Sequence, residues 1–334
     1  MSPAVEPLSD TTPRRARREI DLRAVAPFAA LVALVIFGAL VNPAFVSLDN
    51  LTNVVTRSAF IAVIAVGATF VIASGGLDLS VGAMAAFVAG TMILFLNGGA
   101  VEGPMLLPAA MLLALGTGAL CGLANGLTIT LGRIEPFIVT LGTMGIFRAL
   151  TVYLAEGGSI AIRSQELRAA YRPVYFGNIL GVPVPIVAIA LVAALGAFLL
   201  YRTRYGRHVT AVGSNEDVAR YSGVPVNRVR VLAYVIQGVC VAVAVLIYVP
   251  RLGAATATTG LLWELQAITA VVIGGTALRG GVGRIWGTIC GALILEMVGN
   301  IMVLSDLVSE YLIGAVQGAI IIVAMLIQRS LGRR

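Results

Sequence analysis

Long apolar runs recur along almost the whole chain, and they restrict its fold more than any other feature of the sequence. A helix needs about 20 apolar residues to cross the hydrocarbon core of a bilayer. Runs of this length predict an all-α polytopic membrane protein with about ten transmembrane helices. The predicted spans are residues 24–42, 53–73, 80–97, 105–131, 134–154, 182–201, 231–250, 263–278, 285–304 and 308–328.

The small share of charged residues supports a bilayer as the environment. Hydrophobic residues make up 59% of the 334 residues and charged residues only 12%, whereas soluble domains carry roughly a quarter charged residues. A soluble chain of this length could not bury so much apolar surface. We therefore expect membrane lipid to surround most of the chain.

The arginines predict the orientation, because cytoplasmic loops of membrane proteins are enriched in basic residues. With both termini in the cytoplasm and an even number of spans, most arginines fall on the inner side. The main exception is the outer loop 155–181, which carries three arginines. The net charge of +7 is divided among short loops, so it does not indicate nucleic acid as a partner. The predicted organisation is a cytoplasmic tail over 1–23, a transmembrane domain over 24–328 and a cytoplasmic tail over 329–334.

A polar island, RTRYGRHVTAVGSNEDVARYSGVPVNRVR, interrupts the apolar runs at residues 202–230 on the predicted inner side. Within it, the stretch from Asn215 to Tyr221 predicts a short capped helix with two acids in its first turn. Pro225 then closes this helix. We interpret the polar island as a docking surface for a partner protein, and a solvated loop is the alternative.

Two glycine-rich segments separate apolar runs. The first, SGGLDLSVG at 74–82, contains Asp78 and Ser80. A charge at membrane depth is costly and usually functional. The predicted topology, however, places Asp78 at the cytoplasmic edge, where Asp78 or Ser80 could simply cap the next helix. The second segment, IGGTALRGGVGR at 273–284, echoes the first, as an internal repeat would.

Polar residues also lie within the predicted spans. Such residues usually face a bundle interior or a water-filled path, although hydrogen bonds between helices would also explain them. They are Asn125, Glu264, Gln266, Glu296, Asn300 and Gln317.

Small residues four positions apart predict close helix packing, because they remove side chains from one helix face. Each of two predicted spans carries one such set. The two sets are Gly118, Gly122 and Gly126, and Gly283, Gly287 and Gly291.

Catalytic and metal sites are not predicted. The chain has no lysine, so it cannot contain the GxxxxGK[ST] phosphate-binding loop of an ATPase. His208 is the only histidine, and neither GxSxG nor HExxH occurs. The three cysteines lie in apolar runs and are expected to be packing residues. We therefore expect no enzyme activity, no cofactor and no bound metal.

Four stretches resemble the membrane-spanning permease subunits of bacterial sugar ABC importers of the ribose/xylose/galactoside type. Together with the spans between them they cover nearly all of residues 45–328. The stretches are SGGLDLSVG (74–82), GLANGLTITLGRIEPFIVTLGTMGIFR (122–148), YGRHVTAVGSNEDVARYSGV (205–224) and AVVIGGTALRGGVGRIWGTICGALIL (270–295).

The resemblance implies a multi-pass protein of the cytoplasmic (inner) membrane that works as a pair of permeases, either two copies or this chain with a relative. It implies an extracytoplasmic sugar-binding protein and a separate ABC ATPase subunit as further partners. Residues 205–224 are similar to the loop that, in ABC importers, places a short coupling helix in a groove of the ATPase. This role is carried over to Gly213, Asn215, Glu216, Ala219 and Gly223.

The function implied is ATP-driven import of a monosaccharide or related polyol. The residues expected to line the pathway or gate are Asp78, Ser80, Asn125, Glu264, Gln266 and Asn300. Gln266 stands where the family often has an acid, so the substrate or gate could differ from the ribose case.

Two alternatives stay open. An ion-coupled secondary transporter could use Glu264 and Glu296 as proton relays, although such a carrier does not need the polar island. The other alternative is an ABC permease for a nucleoside, inositol or furanose signal.

Overall fold

The computed structural model describes residues 22–99, 101 and 103–305, together with 312, 314–316, 318, 319 and 322. The predicted N-terminal tail up to residue 21, most of the tenth predicted span and the C-terminal tail 329–334 lie outside the described residues. The first helix begins at Leu22, close to the predicted start of the first span.

Helices account for nearly all regular structure in the described residues, so the prediction of an all-α membrane protein is confirmed. The described residues also form two short antiparallel ribbons that were not predicted, β1 with β4 and β2 with β3. The helices are α1 Leu22–Val41, α2 Leu48–Ala73, α3 Val81–Asn97, α4 Leu106–Gly132, α5 Pro136–Leu154, α6 Gln165–Tyr171, α7 Pro173–Phe176, α8 Val184–Arg202, α9 Arg204–Ser214, α10 Glu216–Tyr221, α11 Val226–Leu252, α12 Trp263–Ile273 and α13 Ile285–Ser305. The strands are β1 Ser159–Ala161, β2 Asn178–Ile179, β3 Val182–Pro183 and β4 Ala254–Thr256, and 3-10 turns cover Pro43–Val46 and Gly103–Met105.

Within the described residues, six helices are long and apolar enough to cross a bilayer: α2, α4, α5, α8, α11 and α13. Helix α3 is slightly shorter, at 17 residues. The predicted eighth span at 263–278 is not a full span, because α12 has only 11 residues. At 1.5 Å per residue it is about 16 Å long, roughly half of the hydrocarbon core. Gly274 and Gly275 end it, and Gly275 adopts a positive φ of 83°.

The central packing unit is α11 against α4 and α2. A Cβ at Gly118 would lie 2.3 Å from the carbonyl oxygen of Gly238, and one at Gly122 would lie 2.1 Å from that of Tyr234. The helices can therefore approach backbone to backbone only because both positions are glycine. This confirms the first predicted glycine set as a helix-packing face.

The second glycine set is only partly helical. Gly287 and Gly291 pack α13 on the backbone of α12, at Gly274 and Ala270. Gly283 instead precedes α13, which begins at Ile285. The three cysteines are free and buried, as expected for packing residues.

The two ends of the bundle differ in character. At the island end lie the polar island and the loops 74–80 and 274–284, where the Gly281 N–H donates to the carbonyl of Ala73 at 2.9 Å. At the far end, β1 and β4 join the 155–181 loop to the segment after α11. Helix α11 has 27 residues and so separates the two ends by about 40 Å.

Candidate coupling and pathway site

The polar island folds into two short helices, α9 and α10. The Asn215 side chain accepts a hydrogen bond from the Val218 N–H at 3.0 Å, and Glu216 and Asp217 occupy the first turn of α10. The prediction of a short capped helix is confirmed. Gly223 follows it with a positive φ of 80°, a conformation that costs glycine little.

Glu216 ties α10 to α11. Its two carboxylate oxygens each lie 2.6 Å from an arginine, Arg220 on α10 and Arg230 on α11. Partial burial alone would raise the pKa of Glu216, but the hydrogen bonds and charges of the two arginines outweigh it and lower the pKa below its usual value. Glu216 therefore fixes the position of α10 from within the chain.

The outer face of α10 is apolar. Val218 is 59% exposed and Tyr221 is 91% exposed, whereas Ala219 is only 4% exposed and faces inward. Residues three apart lie on one helix face, so Val218 and Tyr221 form a small exposed patch. Neither residue was selected from the sequence. The available signal was an apolar residue and a tyrosine three positions apart within a polar segment.

Gly213 lies where three segments meet, a contact that we call the glycine junction and define by Ala73, Gly213, Gly280 and Gly281. A Cβ at Gly213 would lie 1.9 Å from the carbonyl oxygen of Ala73 and 2.5 Å from the nitrogen of Gly281. A Cβ at Gly280 would in turn lie 2.7 Å from the carbonyl oxygen of Gly213. The polar island thus contacts both glycine-rich segments directly.

The Asp78 side chain is buried, at 5% exposure, and its place at the cytoplasmic edge stays a prediction. One carboxylate oxygen accepts hydrogen bonds from the Ser80 N–H at 2.9 Å and the Ser80 hydroxyl at 2.6 Å. The capping interpretation of Ser80 is wrong, because its side chain makes no capping bond to α3. Gly75, with a φ of 84°, turns the chain back into the bundle after α2.

Two helices hold this re-entrant turn, residues 74–80, from the sides. Asn125 of α4 donates to the Ser80 hydroxyl at 2.8 Å, and the Tyr234 hydroxyl of α11 donates to the Leu77 carbonyl at 2.9 Å. Asn125 lies about 10 Å along α4 from its end, so the turn reaches well between the helices. The structure therefore brings together Asp78, Ser80 and Asn125, and adds Tyr234.

The start of α12 meets the start of α3. A Cβ at Gly82 would lie 2.0 Å from the carbonyl oxygen of Gly260 and 2.5 Å from a carboxylate oxygen of Glu264. Arg148 of α5 donates to the carbonyls of Ala257 and Thr259, and so anchors the segment that leads into α12. Arg148 is a further residue that the sequence reasoning did not select.

The remaining predicted site residues lie apart from this group. Gln266 is two residues after Glu264 on α12, and residues at that spacing project from different faces of a helix. Asn300 exchanges amide hydrogen bonds of 2.9 Å with Asn50, between α13 and α2. Glu296 pairs with Arg57 at 3.1 Å. Asn300 and Glu296 on α13 therefore each contact a residue of α2.

Loss of the Asp78 carboxylate is expected to loosen the re-entrant turn. Asp78→Ala leaves the buried Ser80 N–H without its acceptor, which costs about 1–3 kcal/mol. Asp78→Asn retains an acceptor oxygen and should keep most of the stability. Thermal unfolding of the detergent-solubilised protein, together with uptake, checks this. An Asn variant that is stable but inactive would instead assign the role to the negative charge.

Removing the cap of α10 is expected to loosen that helix alone. Asn215→Ala should cost about 1 kcal/mol, because the Val218 N–H loses its acceptor, whereas Asn215→Asp keeps one. Hydrogen exchange of the amides at 216–221 should become faster in the alanine variant and stay slow in the aspartate variant. Equal exchange in both variants would contradict the assigned cap.

Over most of its length, the chain is similar to known permease components of transport systems. The family model described as "Branched-chain amino acid transport system / permease component" matches residues 50–325. The ribose import permease protein of Haemophilus influenzae is 37% identical over 310 residues, 92% of this chain and 93% of the relative. The D-allose transport system permease protein of Escherichia coli is 33% identical, over 92% of this chain and 91% of the relative.

A third relative is the autoinducer 2 import system permease protein of an Enterobacter strain, which is 36% identical over 84% of this chain and 80% of its own length. No solved structure matches the chain. The family match spans far more than half of the chain and includes the polar island and both glycine-rich segments. The chain therefore belongs to this family of transport permease components.

Proposed function

We propose that this permease component imports a monosaccharide or related polyol in an ABC system, with ATP hydrolysed by a separate subunit. The glycine junction carries the proposal. It joins the polar island directly to the two loops that lead into α3 and α13. Such a contact is needed if docking of a partner on the polar island is to move the spans. The names of the ribose and allose relatives support the substrate class.

The proposed topology has about ten spans, both termini in the cytoplasm and the polar island on the cytoplasmic side of the inner membrane. The arginine-rich island end of α11 and α8 supports this orientation. The far end of the bundle, with the 155–181 loop, then faces the extracytoplasmic space.

In the proposed mechanism, Val218 and Tyr221 contact a groove of the ATPase. Asn215, Glu216, Ala219 and Gly223 hold α10 in the form that docks, and Gly213 transmits its movement. The ATPase drives the cycle if its two nucleotide states bind the inward-open and outward-open permease with different affinities.

The proposed gate lies where the half-length helix α12 and the re-entrant turn meet the ends of α3, α4 and α5. Asp78, Ser80, Asn125 and Glu264 are its polar residues, and Arg148 positions the segment before α12. Broken helices near the centre of a bundle are a recurrent design for transport paths, since their exposed backbone groups need a polar cavity. Gln266 and Asn300 stay predictions as pathway residues.

The proposed partners are an ABC ATPase, an extracytoplasmic binding protein and a second permease, either a copy of this chain or a relative. A nucleoside, an inositol or a furanose signal stays the alternative cargo, and the autoinducer 2 relative favours the last of these. An ion-coupled carrier is less well supported, because Glu296, one of its two candidate relays, is paired with Arg57.

The test is purification from membranes with an affinity tag on this chain, followed by reconstitution of the recovered components into vesicles. We expect a Walker-containing ATPase in the sample, and ATP-dependent uptake of radiolabelled ribose or allose that an uncoupler does not abolish. Recovery of the chain alone, with uptake that needs no ATP and collapses with an uncoupler, would contradict the proposal.

A further inference from the structure

Polar side chains line the contact between α2 and α13 in the half of the bundle away from the polar island. Asn50 exchanges amide hydrogen bonds of 2.9 Å with Asn300, and Arg57 pairs with Glu296 at 3.1 Å. Asn53 lies between these two pairs along α2 and is exposed. Spacings of three and four residues place the polar residues of each helix on one face. We call these five residues the polar ladder.

The polar ladder reaches into the hydrocarbon core of the bilayer. Helix α2 has 26 residues and is about 39 Å long, about 9 Å longer than the core. Arg57 lies about 14 Å along α2 from Leu48, which begins the helix at the far end of the bundle. Its side chain is nevertheless 54% exposed. A charged side chain at this depth is costly in lipid, and usually faces a bundle interior or a water-filled path.

An aromatic cluster continues the same face of α2. Phe60 follows Arg57 by three residues, so both project from one side of the helix. The centroid of the Phe60 ring lies 5.4 Å from that of Tyr248 on α11 and 5.0 Å from that of Trp263 on α12. Trp263 also lies 4.7 Å from Tyr248 and is only 6% exposed. Trp263 therefore fixes two rings, Phe60 and Tyr248, that are themselves only partly buried.

The aromatic cluster, which consists of Phe60, Tyr248 and Trp263, adjoins the proposed gate. Trp263 is the first residue of α12 and precedes Glu264, whose carboxylate lies against Gly82 at the start of α3. The polar ladder, the aromatic cluster and the gate thus follow one another from the far end toward the polar island. Contacts between helices would explain the two pairs of the ladder. They do not explain an exposed amide and a half-exposed guanidinium on the same face.

We propose that the polar ladder and the aromatic cluster bind the sugar on its way to the gate. This inference rests on the proposed function and names the side chains that contact the substrate. Sugar hydroxyl groups donate to Glu296 and accept from Arg57 and Asn53. The C–H face of the sugar ring packs on the electron-rich faces of Phe60 and Tyr248. Apolar and aromatic surface with a few placed polar groups is the usual composition of a small-molecule site.

The first test asks whether water reaches the polar ladder. The three native cysteines are buried, so Arg57→Cys and Leu120→Cys each add one exposed thiol to the full complex in nanodiscs. Leu120 is the matched control, because it is 65% exposed near the middle of α4. A charged thiol reagent should label Arg57→Cys and leave Leu120→Cys unlabelled. Equal labelling of the two variants, or none in either, would overturn the inference.

A charge swap separates sugar binding from helix packing. Arg57→Gln and Glu296→Gln each break the ion pair, and should lower both the unfolding temperature and the rate of uptake per folded complex. The pair can form again in the double variant Arg57→Glu, Glu296→Arg, so its unfolding temperature should recover. Its uptake should stay about tenfold or more below wild type, because the sugar meets donor and acceptor in exchanged places. Recovery of both properties would show that the pair only holds α2 to α13.

The aromatic cluster is tested at Phe60. Phe60→Leu keeps an apolar side chain without the ring and should slow uptake per folded complex, whereas Phe60→Tyr keeps the ring and should not. Normal uptake in Phe60→Leu would exclude the cluster from the site. Wild-type complex that shows no ATP-dependent uptake of a sugar would refute the proposed function instead. The labelling of Arg57→Cys needs no sugar, and therefore decides separately whether the ladder lines a path.

Discussion

Gly213→Ala is expected to uncouple ATP hydrolysis from transport while the ATPase stays bound. The new Cβ would lie 1.9 Å from the Ala73 carbonyl oxygen and 2.5 Å from the Gly281 nitrogen. Both are backbone atoms, so neither can move aside as a flexible side chain would. The hydrogen bond from Gly281 to Ala73 must break or the polar island must shift outward. Overpacking of this kind costs about 1–3 kcal/mol, as much as a typical coupling free energy between two sites, which corresponds to about 5–150-fold in affinity.

The measurement is the ratio of sugar transported to ATP hydrolysed in reconstituted vesicles, together with recovery of the ATPase by affinity purification. We expect the ratio to fall at least about fivefold in Gly213→Ala with normal ATPase recovery. Gly142→Ala is the matched control, because a Cβ at this exposed position of α5 meets no atom within 4 Å. Tyr221→Ser should give the opposite pattern, with poor ATPase recovery, since Tyr221 lies on the exposed face of α10.

A normal ratio in Gly213→Ala would show that the glycine junction does not transmit movement. Loss of ATPase recovery in the same variant would place Gly213 in the docking surface, as the family resemblance alone implies.

The full-length spans and the α10 helix could be predicted from the sequence because their signals are local. Apolar runs fix α2, α4 and α11 within a few residues of their bounds, since the bilayer thickness sets the length. Asn215 followed by two acids is a start signal that acts within one turn. Glycines four apart predicted a close-packing face on α4 for the same reason, because the helix repeat alone places them on one face. The partner, α11, came from the structure.

The gate could not be predicted in the same way, because its geometry depends on contacts between distant segments. The sequence places Asp78 at the cytoplasmic edge through the alternation of spans and loops, and that alternation does not show what surrounds its side chain. Its burial depends on Asn125 and Tyr234, which lie on two other helices and satisfy the turn. The short length of α12 was not predicted, because the sequence stays mostly apolar for a few residues after the glycines that end the helix. Asn300 was expected in the pathway, but its partner Asn50 is 250 residues away.

Gly122→Ala is expected to reduce both the amount of folded protein and its transport. Gly122 lies in the α4–α11 seam, where a Cβ would come within 2.1 Å of the Tyr234 carbonyl oxygen and 2.8 Å of its carbonyl carbon. The two helices would have to separate along a seam that also includes Gly118 against Gly238. Loss of this backbone packing removes the contacts that hold helices together in lipid, where no hydrophobic force drives them to associate.

The seam also fixes the proposed gate. Asn125 follows Gly122 by one turn on α4, and Tyr234 faces Gly122 from α11, and these two side chains hold the re-entrant turn. Molecules of Gly122→Ala that do fold should therefore unfold at a lower temperature and transport more slowly per molecule. Gly116→Ala is the control on the same helix, because a Cβ there meets no atom within 4 Å. Normal transport per folded molecule in Gly122→Ala would show that the gate does not depend on the packing of the seam. The re-entrant turn would then hold the gate by itself.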